Sequence, residues 1–127
     1  MSTLNDKEYQ YNKSQFIIAV KAEHLIYDIN DLLEVIPKKY YYHKNKILSY
    51  SYELLDNIYV VNNSKGEIAD NMLNIQKDIS MIQMLIGYFI TKDILSLKQV
   101  GKVFKTLTEL SKMTYSWFKS KGYNNES

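Results

Sequence analysis

The stretch "IADNMLNIQKDISMIQMLIGYF", residues 68–89, decides the fold. Ile68, Met72, Ile75, Ile79, Ile82, Ile86 and Phe89 recur at alternating spacings of four and three. That places all seven on one stripe of an α-helix, whereas a strand would need alternation by two. A stripe this long has to be buried against other helices. The helix is expected over about 66–92. Ser64 and Glu67, with the S-x-x-E spacing of a capping box, are expected to open it.

On either side the same periodicity returns. Ile18, Ala22, Leu25, Ile29, Leu32 and Ile36 predict a first helix over about 14–36, stopped by Pro37, the only proline. Ile47, Ser51, Leu54, Ile58 and Val61, flanked by Leu48 and Leu55, predict a second over 42–62. Ser96 and Gln99 repeat the capping-box spacing. Val100, Val103, Leu107, Leu110, Thr114 and Trp117 then give the seam of a last helix over 97–121. Four amphipathic helices with short connections predict an all-α, up-down-up-down antiparallel four-helix bundle over 14–121. Flexible tails are expected at 1–13 and 122–127.

The bulk composition agrees. The chain has 127 residues, 46% hydrophobic and 24% charged, which suits one globular domain and excludes disorder. Four Gly and one Pro are too few for a β-sandwich or barrel. The polar start "MSTLNDKEYQYNKS" lacks a signal-peptide core, and the apolar run "MIQMLIGYFI" (81–90) is about half a membrane span. A cytoplasmic protein without membrane contact is expected, and the absence of Cys fits a reducing compartment.

Catalytic signals are missing. The di-iron bundle motif needs Glu three residues before His, but Lys21 precedes His24 and Tyr40 precedes His43 at that spacing. "GKVFKT" lacks the second glycine and the ending of a phosphate loop, and it falls inside a helix. There is no Cys nucleophile and no G-x-S-x-G. Asp28 and Asp31 read as a solvated helix face. No enzyme activity, metal or cofactor is expected.

Charge is unevenly spread. All sixteen basic residues are Lys, so the chain has no guanidinium fork for guanine or phosphate. The formal net charge is +2, yet residues 14–36 carry −3 and residues 96–121 carry +5. Lys98, Lys102, Lys105, Lys112 and Lys119 fall on one outward stripe of the last helix, interrupted by Glu109. The stripe can be a solvated face partnered by the acidic first helix, a track for nucleic acid, or a contact between subunits. The Pro37 corner adds "KKYYYHKNK", with Lys38, Lys39, Lys44 and Lys46 around three consecutive tyrosines. Tyr40, Tyr41 and Tyr42 cannot all face one core: either Tyr42 and one other cap the bottom of the bundle with the third half exposed, or at least one is exposed to stack on a base or meet a partner.

The order of these pieces resembles a known family. "IPKK" (36–39) is similar to its Ile/Leu-Pro-Arg/Lys corner. "VNNS" (61–64) follows the second helix, and Ser116, Trp117, Phe118 and Lys119 close the last. Over about 14–121 the chain resembles the accessory variability determinant (Avd) proteins of diversity-generating retroelements and the related ribosomal-RNA intervening-sequence proteins. The resemblance implies a non-catalytic homo-oligomer, a homopentamer, that binds RNA or DNA and docks on a reverse transcriptase. Lys38, Lys39 and Lys119 carry over as basic positions. The chain has no Arg where retroelement members are rich in it, and Tyr115-Ser116 stand where those members carry Gly-Gly. The expected nucleic-acid contacts are Lys38, Lys39, Lys44, Lys46, Lys98, Lys102, Lys105, Lys112 and Lys119. Tyr41, Trp117 and Phe118 are the expected interface residues.

Overall fold

The computed structural model describes residues 16–64 and 68–120. Its four α-helices are α1 (Ile17–Leu33), α2 (Tyr41–Asn63), α3 (Ala69–Thr91) and α4 (Leu97–Ser120). Each packs on its neighbours in sequence, α1 closes against α4, and the diagonal pairs stay apart. This is the up-down-up-down bundle. The expected start at Ser14, the Ser64–Glu67 box with a helix start at Gly66, the helix end at Lys121 and both tails lie outside the described residues. No helix among them is long and apolar enough to cross a membrane.

The core is built from the heptad stripes. Ile68 and the six stripe residues of α3 are buried, as are Ile47, Ser51, Leu54, Ile58 and Val61 of α2. Ala22, Leu25, Ile29 and Leu32 of α1 meet Val100, Val103, Leu107 and Leu110 of α4 in the same core. Two expectations need correction at the ends of the stripes. Trp117 was expected in the α4 seam, but it is half-buried at the edge against Phe16, with ring centroids 5.3 Å apart. Phe118 takes the core position at 4% exposure. A straight α-helix turns every 3.6 residues and drifts against a 3.5-residue repeat, so the last knob falls one residue later.

α1 also ends early, at Leu33. Residues 34–36 wind through tightened bonds, Val35 N–H to the Leu32 carbonyl at 3.3 Å and Ile36 N–H to that of Leu33 at 3.1 Å. Pro37 has no N–H to continue the ladder and forces Ile36 out of the helical region. Lys38–Tyr40 then form one 3-10 turn that leads into α2. At the opposite corner Asp93 adopts a left-handed φ of 59°. This lets Ile94 and Leu95 N–H reach back to the Phe89 carbonyl at 2.9 and 3.1 Å, which ends α3. The capping box of α4 is formed as the spacing predicts. Gln99 N–H donates to Ser96 Oγ at 3.1 Å, and Ser96 N–H to Gln99 Oε1 at 2.8 Å.

Candidate nucleic-acid interface

Antiparallel packing places both corners, residues 34–40 and 92–96, at the same end of the bundle. The Pro37 corner presents Lys38 and Lys39 to solvent, and the first turn of α2 presents Tyr41 and Tyr42. Lys92 from the end of α3 and Lys98 from the first turn of α4 are exposed at the same end. The acids at this end are Asp31, Glu34 and Asp93, also exposed.

An aromatic cluster underlies the charge. Phe89, fully buried, is its floor. Tyr40 meets Phe89 edge-on at 5.5 Å, and His43 stacks flat on Tyr88 at 4.6 Å with an interplanar angle of 5°. Tyr42 packs edge-on against His43 at 6.1 Å. Three lysines lie over these rings: Lys39 over Tyr40 at 5.3 Å, Lys46 over Tyr42 at 5.9 Å and Lys92 over Tyr88 at 5.8 Å. A cation on a ring face keeps its full charge while losing some of its freedom, unlike a cation paired with a carboxylate.

The expected lysines therefore divide. Lys38, Lys39, Lys46 and Lys98 are exposed toward this end. Lys44 is turned inward, donating at 3.0 Å to the Ile36 carbonyl at the Pro37 corner. Lys102 pairs with Asp28 of α1 at 3.3 Å. Lys105 lies near Glu109, whose carboxyl is held below its usual range, chiefly by the hydrogen bond from Lys21 of α1. The charge opposition of α1 and α4 is thus used within one chain. Lys112 lines a groove between α3 and α4 with Gln76, Ile79, Ser80, Gln83, Ser111 and Tyr115. Lys119 lies over Tyr115 at 5.5 Å, about 30 Å down the helix from Lys98. Of the three expected interface residues, Tyr41 is exposed and Trp117 half-buried. Phe118 is buried in the core at 4% exposure.

Sequence reasoning missed three members of the site, His43 as a stacked ring together with Tyr88 and Lys92 of α3. The signal was the topology, because an antiparallel α2–α3 pair sets residues 88–92 beside residues 40–46. It also missed Asp78, which faces α2 and is fully buried. Neither Asp78 oxygen receives a hydrogen bond, and the Lys77 ammonium stands 3.5 Å from Oδ1. Burial first, and then the neighbouring Glu53 carboxyl, push Asp78 up to about 7. Glu53 is held below its usual range, first by the neighbouring Asp78 carboxyl and then by the Lys77 ammonium at 3.1 Å.

Among the described residues no group of three or more His, Cys, Asp or Glu gathers to hold a metal. The fold and this end define an all-α bundle with a basic, aromatic tip. No family model, curated protein or solved structure matches the chain.

Proposed function

We propose that the protein is a non-enzymatic nucleic-acid-binding bundle. It acts in the cytoplasm as a homo-oligomeric accessory to a reverse transcriptase, the role its resemblance to the Avd proteins implies. The observation that supports this reading is that Lys38, Lys39, Lys92 and Lys98 are exposed at the same end of the bundle as the exposed Tyr41 and Tyr42. Point charges of this kind bind phosphates without reading bases. The test is the affinity for a short RNA measured across a salt series. Replacing Lys38, Lys39 and Lys98 together by Gln is expected to weaken binding at least tenfold. The salt slope should fall by roughly 2, since each phosphate that is no longer neutralised on a single strand lowers it by about 0.7. An unchanged slope sinks the assignment of this end.

A second reading has its own observation. Leu48, Tyr52, Leu55 and Tyr59 recur at four-three-four spacing on α2, outside the core stripe, and Tyr52 and Tyr59 are exposed at 55% and 43%. A second apolar stripe on a helix suits an oligomeric scaffold with no nucleic-acid role, whose assembly would be indifferent to added RNA.

A further inference from the structure

Tyr41 and Tyr42 are the most exposed tyrosines among the described residues, at 68% and 62%. They are consecutive in the first turn of α2, so their rings point about 100° apart and offer two separate surfaces. The Tyr42 ring is held in place by an edge-on contact with His43 at 6.1 Å and by Lys46 at 5.9 Å. Lys38 and Lys39 immediately precede the pair, and Lys98 lies at the same end.

Two flat apolar faces rimmed by lysines match the chemistry of an unpaired strand. In a duplex the base faces are already stacked on one another and only their edges can be read. Reading those edges favours the planar forks that Arg supplies, and this chain has no Arg. A single strand, a loop or an overhang offers free base faces beside its phosphates. Each base can stack on a tyrosine while the phosphates meet the lysines, without regard to sequence. We infer that the corner of the bundle binds single-stranded nucleic acid, RNA or DNA, by stacking bases on Tyr41 and Tyr42. This rests on the nucleic-acid reading above and narrows it to unpaired strands.

The test compares four fluorescent probes of equal length by anisotropy at one salt concentration: oligo-U, oligo-dT, a blunt duplex and an abasic strand that keeps the phosphates without the bases. Oligo-U and oligo-dT are both expected to bind at least tenfold more tightly than the abasic strand or the duplex. Tyr41→Ser/Tyr42→Ser is expected to lose that margin, and Tyr41→Phe/Tyr42→Phe to keep it. Because both side chains are exposed, helicity measured by circular dichroism should not change. Equal affinity for all four probes, with no effect of the serine pair, overturns the stacking inference and leaves a site that works by charge alone. A margin that the serine pair retains overturns the assignment to these rings. Failure to bind any probe overturns this inference and the nucleic-acid reading together.

Discussion

At the scale of a single residue, Asp78 sets how the fold responds to pH. Its carboxyl titrates near 7 in the folded chain against an ordinary value of 3.8. The folded state therefore holds the proton between about pH 4 and 7, where the unfolded chain has released it. The stability this contributes is fully present below about pH 4 and is lost as pH rises through 7. Protonated, Asp78 can donate to Glu53. Ionised, it is a buried charge beside the Glu53 carboxylate, with only Lys77 to offset it, which is costly. Glu53 acts in the opposite sense, because its depressed carboxyl contributes stability above its unfolded value of 4.5 that is lost on further acidification. The urea midpoint is expected to be higher at pH 5 than at pH 8. Asp78→Asn should raise the stability at pH 8 by about 1–3 kcal/mol and flatten the difference. If the variant unfolds with the same pH dependence as the parent, Asp78 is not the group responsible.

At the scale of the element, the helices are held by their ends as much as by their stripes. α4 has the highest charge of the four and begins beside a strained left-handed residue, so its capping box matters more than usual. Ser96→Ala removes the acceptor for Gln99 N–H and should cost about 1 kcal/mol in thermal or urea unfolding, with Gln99→Ala costing less. A neutral Ser96→Ala would mean that the bond in the structure carries no energy. The four helices were legible in the sequence because their stripes repeat at four and three over several turns, and a long repeat outweighs local noise. The errors sit where a different rule intervenes. Pro37 acts on the residues before it and cost α1 its last turn. The accumulated drift of a straight helix exchanged Trp117 for Phe118. Asp78 was hidden because it adjoins Ile79 of the stripe, and only the position of α2 shows that its flank is covered.

At the scale of the whole molecule, the legibility of the site depends on chain order. Lys38, Lys39, Tyr41 and Tyr42 are contiguous, so the sequence displays them together. Lys92, Tyr88 and Lys98 join them only once α3 and α4 are packed antiparallel. The α4 stripe also read as one track, but Asp28 of α1 pairs with Lys102 in its middle, the partnering by the acidic first helix that the charge pattern offered as one alternative. What remains, among the described residues, is a bundle whose Pro37 end is basic. Its α2 flank carries the stripe of Leu48, Tyr52, Leu55 and Tyr59 along the bundle axis. If copies associate side by side in a ring through such flanks, their basic ends fall on one rim. A long strand could then meet several ends at once, and each binding event after the first would be intramolecular. Affinity should therefore climb steeply with strand length, by tenfold or more between a strand that spans one end and one that spans two. Tyr52→Ser/Tyr59→Ser is expected to reduce the particle to the 15.0 kDa chain in native mass spectrometry. It should abolish the length dependence while leaving short-strand affinity unchanged. A parent protein that already runs as a single chain, or a single-chain variant that keeps the steep length dependence, would break the link between the α2 stripe and the basic end.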